Sequence, residues 1–225
     1  MLRSALHDWH VARAARFANR DGWTIPSGYA GTSREIQGEL ALADLSHGAK
    51  LLLRPSSRAS DTQAVLGDIP APAILEAKRL NHEIVACRLA AEEILFLSST
   101  PRLELRYGNM DLRCSPVNLD PDPVGPGLVA LNQTFAFAGM CLVGDEIESL
   151  FRQISAIKLP EPNTCAQTRL SGIWVFLVRL DELSQPSLRI YVSWEFAQYL
   201  CETLVGLYAT ISPMGIEEWE SLRKD

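Results

Sequence analysis

The apolar residues of this 225-residue chain fall in short runs, several of them alternating with polar ones, separated by stretches rich in Pro and Gly. Alternating runs of about four to eight residues predict strands, whereas i, i+3, i+4, i+7 spacing predicts an amphipathic helix. Ala49-Lys50-Leu51-Leu52-Leu53 reads as a strand stopped by Pro55. Ile84–Leu89 and Ile94–Ser98 flank a short polar link and predict a hairpin. Leu103–Tyr107 alternates and runs into the turn pair Gly108-Asn109. Thr134–Val143, Ile173–Leu180 and Leu188–Val192 are further predicted strands.

Helices are fewer. Thr32-Ser33-Arg34-Glu35 has the form of a capping box. Ile36, Leu40 and Ala43 follow at helical spacing, which predicts a helix over 33–43 that Asp44–His47 ends. Asp145 opens a second, with Ile147, Leu150, Phe151 and Ile154 on one face. Ser193 is a candidate cap for a third, running to Leu207 with Phe196, Leu200, Leu204 and Leu207 aligned. Pro55, Pro70 and Pro72 mark 54–75 as a loop. The clearest linker is 115–127, with Pro116, Pro121, Pro123, Gly125, Pro126 and Gly127. Pro160 and Pro162 mark a second. Strands and helices in mixed order, with hairpins, predict an α+β fold. The linkers divide it into subdomains 1–48 plus 126–225 (outer) and 49–125 (inserted).

Composition narrows the function classes. The chain is 47% hydrophobic and 21% charged, as expected of an ordinary folded chain. Its net charge of −6, without Lys/Arg clusters, argues against nucleic acid as a partner, because phosphate neutralisation drives that binding. No apolar run is long enough for a membrane span, and no leader-like segment opens the chain. Five cysteines without a Cys-x-x-Cys pair fit buried thiols in a reducing cytoplasm and predict no metal site.

Two clusters carry candidate chemistry. Asp44, Ser46 and His47 are the residue types of a hydrolase triad. They stand too close in sequence, and without a Gly-x-Ser-x-Gly elbow, so a structural turn is the stronger reading. His7, Asp8 and His10 invite a metal, but a third strong ligand at recognisable spacing is missing, and packing or hydrogen bonding is expected.

The order of motifs carries a resemblance. Leu6-His7-Asp8, His10, Ala15-Arg16, Asp21-Gly22-Trp23, Asp44, Ser46-His47 and Lys50 match, in order, phrases typical of the glycine cleavage T-protein (aminomethyltransferase) family. Cys165-Ala166-Gln167-Thr168, the apolar strand after it, and Tyr191–Leu200 resemble the gamma subunit of heterotetrameric sarcosine oxidase. The resemblance implies a T-protein-like folate-binding fold of mixed and antiparallel sheets with flanking helices, lacking that family's C-terminal barrel domain. It implies tetrahydrofolate as cofactor and a flavoprotein or other oxidase subunit as partner; self-association is a further option.

The same resemblance points to site residues. The family's strand-opening Asp pair corresponds to His82-Glu83, so Glu83 is the candidate catalytic carboxylate and His82 and Glu83 candidate folate contacts. A general-base or amine-positioning Glu83 stands against an exposed acid at a strand start. Arg223 matches the last Arg of the family's closing phrase, where Trp219 replaces the first, and is a candidate for a folate glutamyl tail. The glycine-rich loop that carries the family's folate-binding Glu is absent, Asp181 and Glu182 standing in another context. Trp9, Trp23 and Trp174 are candidates for stacking a pterin, with packing the stronger reading and the strand bearing Trp174 and Phe176 expected in the core. The function implied is that of an accessory, gamma-like subunit in one-carbon metabolism; the alternatives are a small tetrahydrofolate-dependent aminomethyltransferase and a non-folate scaffold.

Overall fold

The computed structural model describes residues 1–30, 40–56, 71–108, 110–116, 122–125, 127–180, 183–208 and 211–223. The Thr32–Glu35 capping box and Asp181-Glu182 lie outside them. Two compact units emerge. The first comprises Met1–His47, Ala136–Pro162 and Ala166–Asp225; the second comprises Gly48–Phe135 and Asn163–Cys165.

The chain begins in the first unit with β1 (Leu2–Arg3), α1 (His7–Val11), β2 (Ala15–Arg20), β3 (Trp23–Tyr29) and β4 (Leu40–Asp44). β1, β3 and β2 form a three-stranded sheet in that order. The β2–β3 hairpin turns at Asp21-Gly22, both in the left-handed region at φ 48° and 85°, the conformation an Asp-Gly hairpin turn demands.

The second unit is built from β5 (Lys50–Pro55), β6 (Ala77–Arg79), β7 (Ile84–Ala90), β8 (Glu93–Ser98), β9 (Leu103–Tyr107), β10 (Met110–Cys114), β11 (Asp122–Gly125) and β12 (Leu128–Asn132). Six of these pair in the order β11-β12-β5-β8-β7-β6, all antiparallel. The β9–β10 hairpin is separate in hydrogen bonding but shares the core. Leu103, Tyr107, Met110, Leu112 and Cys114 cluster with Leu51, Leu53, Ile84, Ala86, Ile94 and Phe96. The Phe96 and Tyr107 rings meet edge to face at 4.9 Å. Every other residue of β10 is buried, as a strand with one face on a core requires.

The chain then returns to the first unit: β13 (Phe137–Val143), α2 (Ile147–Ile154), β14 (Thr164–Leu170), β15 (Ile173–Arg179), β16 (Ser187–Ser193), a 3₁₀ turn (Trp194–Phe196), α3 (Ala197–Leu207), β17 (Ile211–Met214) and α4 (Ile216–Ser221). The sheet order is β14-β15-β16-β13-β4-β17. β4 pairs antiparallel with β13 and parallel with β17. Leu40, Leu42, Met140, Leu142, Leu188, Ile190 and Val192 project from one face into a core with Ile147, Leu150, Phe151 and Ile154 of α2 and Ala197, Leu200, Cys201 and Leu204 of α3. The fold is α+β, as the mixed order of elements predicts.

Several local expectations are corrected. Residues 40–43, expected to finish a helix, lie in strand β4, which is buried along its whole length. A central strand buried on both faces shows no alternation, and Leu40-Ala41-Leu42-Ala43 satisfies either period. The linker 115–127 contains β11, paired with β12. The strand expected over 134–143 is the shorter β13, with β12 a separate strand before it. Ser193 makes no side-chain cap bond; a 3₁₀ turn precedes α3 and rotates its buried face to Ala197, Leu200, Cys201 and Leu204, leaving Phe196 and Leu207 exposed.

Candidate functional site

Within the first unit two of the matched motif residues, His10 and Asp44, meet in a buried polar cluster. α1 supplies His10, β3 supplies Tyr29 and β4 ends in Asp44. His10 Nε2 and Asp44 Oδ2 are 2.9 Å apart, with side chains 0% and 1% exposed. The other ring nitrogen, Nδ1, shares a hydrogen bond with the Tyr29 hydroxyl. Asp44 Oδ1 accepts the Ser46 backbone N–H at 2.9 Å. Burial works to raise the Asp44 pKa; the hydrogen bond and charge of His10, with hydrogen bonds from Ser4 and Ser46, outweigh it and hold the carboxyl well below the usual range. Burial, then the Asp44 charge, push the Tyr29 phenol far above its ordinary value. The same two causes push the Cys201 thiol up to about 12.

This cluster is a pin between three elements, since each polar group is satisfied in the interior. His10 is accordingly turned away from the metal grouping considered for His7, Asp8 and His10. His7 stacks against Phe17, with ring centroids 5.0 Å apart. Among the described residues no group of three or more His, Cys, Asp or Glu is placed to hold a metal ion. Ser46 Oγ accepts the Gly139 N–H at 3.3 Å and donates to the Gly139 carbonyl at 3.4 Å. Asp44, Ser46 and His47 are all buried, so this phrase builds structure.

Lys50, the last residue of the motif, opens β5 in the second unit. Its ammonium is buried and donates to the Gly48 carbonyl at 2.8 Å. Its backbone N–H donates to Thr134 Oγ1 at 3.1 Å, which also contacts the Cys114 thiol at 3.6 Å.

The candidate carboxylate sits elsewhere in the second unit, where the sequence predicts a strand start. Asn81 Oδ1 accepts the backbone N–H groups of Glu83 and Ile84, each at 2.8 Å. The Glu83 carbonyl accepts the Ser99 N–H at 3.0 Å. This Asx turn fixes the backbone while the carboxylate remains exposed, 3.6 Å from the largely exposed His82 ring. The structure therefore brings His82 and Glu83 together at the start of β7, with the Asn81 side chain holding the backbone there. Arg223 belongs to the first unit. It follows α4, bridges Leu183, and places its guanidinium 5.2 Å over the Trp219 ring. Arg189, buried in β16, lies 5.5 Å from the same ring.

Of the three tryptophans considered for stacking, Trp9 and Trp23 are buried. Trp174, expected in the core with Phe176, is 62% exposed and carries the Arg169 guanidinium at 4.9 Å. Val175 and Leu177 enter the core; Trp174 lies on the opposite face at the start of β15, where only Phe176 and Val178, further along that face, are covered. Sequence reasoning missed Tyr29, because nothing in the spacing links it to His10, and it placed Gly215 in the closing phrase without a packing role. A Cβ on Gly215 would stand 2.3 Å from the Ser27 carbonyl oxygen, so α4 docks on β3 through that glycine.

No family model matches the sequence, and no curated protein matches it. Solved structures do. The glycine cleavage system aminomethyltransferase T from Bartonella henselae superposes with a TM-score of 0.72 over 98% of this chain, at 15% identity. The chain has a T-protein-like fold. It spans 61% of that aminomethyltransferase's length. The heterotetrameric sarcosine oxidase from Corynebacterium sp. U-96, solved in complex with pyrrole 2-carboxylate, contributes a second match, with a TM-score of 0.59 and 18% identity. There the alignment covers 93% of this chain and 96% of the matched one, so the two are of nearly equal length. Within this fold His10 and Asp44 of the Leu6–Lys50 motif are partners in the interior.

Proposed function

We propose that this T-protein-like chain is a folate-binding-fold protein of one-carbon metabolism that acts as an accessory subunit, in the manner of a sarcosine oxidase gamma subunit, beside a flavoprotein that oxidises an N-methyl amine. The observation that carries this reading is the near end-to-end match with one chain of a heterotetrameric sarcosine oxidase. The changed site agrees: His10 and Asp44 of the motif form an interior pin, while the family's strand-opening Asp pair is His82-Glu83 and its glycine-rich loop is missing. Five buried cysteines, none in a disulfide, fit a reducing, cytoplasmic setting.

Glu83 favours a second reading, a small tetrahydrofolate-dependent aminomethyltransferase. A carboxylate on a backbone held by the Asx turn suits positioning of an amine. In that reading Glu83 is the catalytic residue, His82 and Glu83 contact the folate, and Arg223 meets its glutamyl tail.

Two measurements separate the readings. Thermal unfolding with excess tetrahydrofolate tests the pocket: a ligand at 100 times its Kd stabilises by about 2.7 kcal/mol, or roughly 5–11 °C for a chain of this size. Size-exclusion chromatography with the large subunits of a heterotetrameric sarcosine oxidase tests the subunit role. Co-elution without a folate shift supports the accessory subunit. A folate shift with aminomethyl transfer, and no co-elution, supports the enzyme. Neither result would leave a scaffold that binds no folate.

A further inference from the structure

Several of the large apolar side chains left in water stand on one helix. In α3 and the turn before it, Phe196 is 47% exposed, Tyr199 57% and Leu207 50%. With Thr203 they follow at i, i+3, i+7 and i+11, the spacing of a single stripe along a helix. The Thr203 hydroxyl donates to the Tyr199 carbonyl at 2.8 Å, so it brings no unmet donor to the stripe. Gly206 extends the stripe with nothing within 4 Å of an added Cβ, and leaves the backbone open to close approach. The face beside it, with Ala197, Leu200, Cys201 and Leu204, is in the core. A helix apolar on two faces is one that is covered on both. By contrast α2 keeps a polar outer face of Glu148, Ser149, Arg152 and Gln153.

The polar edge of the stripe carries one sign of charge. Glu195, Gln198 and Glu202 run at i, i+3 and i+7, and Gln198 Nε2 donates to Glu202 Oε1 at 2.9 Å. No Lys or Arg occurs between 194 and 208. At the far end the Tyr208 hydroxyl donates to a third acid, Glu146, at 3.1 Å. Arg13 of α1, whose charge reaches Cys201 on the core side of α3, is held over the Trp9 ring at 4.0 Å.

We propose that the Phe196–Tyr199–Leu207 stripe is the docking surface for the partner subunit, and that its occupant is an amphipathic helix whose apolar side is edged with Lys or Arg. The inference rests on the accessory-subunit reading. Exposed aromatic rings on a regular element are the anchors that dominate association energies. The acids along the edge answer basic groups, which set register and speed encounter. Phe196 and Tyr199 both lie in the Tyr191–Leu200 phrase that resembles the gamma subunit. A second copy of this chain is disfavoured, because its α3 brings no cation to meet Glu195 and Glu202, and an antiparallel two-fold pairing puts both acidic edges on the same side.

The test measures binding of the native chain to the large subunits of a heterotetrameric sarcosine oxidase by surface plasmon resonance, with light scattering of the chain alone. As a second probe, a helical peptide of Leu and Lys is titrated against the chain by NMR, with a Leu and Glu peptide as control. Tyr199→Ser is expected to weaken subunit binding about 30-fold or more. Glu202→Lys is expected to slow association and flatten its salt dependence. Both should keep Tm within about 2 °C of the native value, because the side chains are exposed. The Lys peptide should shift resonances of 196–207, and the Glu peptide should not. Subunit binding that survives Tyr199→Ser and Leu207→Ser unchanged overturns the docking surface and leaves the subunit reading standing. No binding by the native chain overturns the subunit reading. The stripe is then judged by the Lys peptide alone: shifts there support a basic helical partner, and shifts elsewhere or none overturn it. A dimer that Tyr199→Ser makes monomeric also overturns it, assigning the stripe to a second copy.

Discussion

His10 and Asp44 stand 34 residues apart in the chain and 2.9 Å apart in the structure, both without exposure to solvent. They lock α1 to the central strand β4, and Tyr29 extends the lock to β3. Removing one member of a buried pair strands the other, at about 3–5 kcal/mol. His10→Ala and Asp44→Ala are each expected to lose stability of that order in urea unfolding, and the double variant to lose far less than the sum. Additive losses would show that the pair is not coupled.

The same carboxylate sets an acid limit. Its folded pKa lies below the unfolded value of about 3.9. Its contribution is therefore fully present above that value and is lost as pH falls toward the folded pKa. Unfolding curves from pH 7 down to pH 3 should show the native chain losing stability at the acid end, and Asp44→Asn, weaker at neutral pH, should show a flatter profile.

Two glycines should respond in opposite directions to alanine. Gly215→Ala drives a Cβ into the Ser27 carbonyl and Gly28 backbone, and a clash of that kind costs roughly 1–3 kcal/mol or more. Gly206, inside α3, has nothing within 4 Å of the same added atom; Gly206→Ala is expected to stabilise by about 0.5–1 kcal/mol. Thermal melts of both variants check the contrast.

Glu83→Gln separates function from fold. The side chain is exposed and the local backbone is held by Asn81, so stability should change by no more than about 0.5 kcal/mol. Any tetrahydrofolate-induced rise in Tm should shrink or vanish. A rise that survives intact removes Glu83 from the folate site.

Trp174→Ala should be nearly silent in thermal unfolding, because the ring is mostly in water. Trp23→Ala, in the core, should lose about 3–5 kcal/mol. Equal losses would contradict the facing of β15.

Much was legible beforehand. The β7–β8 hairpin, β9 with the turn pair after it, the four-residue apolar face of α2, and the strands β13, β15 and β16 were legible as short apolar runs or periodic faces bounded by turn residues, signals that are local. The strand start at Glu83 was legible too. β4 was not: buried on both faces between β13 and β17, it carries no alternation to read. β11 was hidden because its Pro- and Gly-rich composition, which signals a linker, is tolerated in an edge strand.

The sequence by itself determined the local vocabulary of this protein: which segments alternate, where glycine or Asp-Gly permits a turn, and an order of His, Asp, Gly-Trp and Lys residues that resembles one folate-binding family. Tertiary structure alone decided what those residues do. His10, Asp44 and Tyr29 come together only because three elements distant in sequence pack around them. Trp174 is exposed although Val175 and Phe176, the next two residues of β15, are buried. Periodicity reports one residue's preference for a core, whereas a hydrogen bond or a glycine contact depends on two residues whose separation in the chain carries no physical information about their distance in space.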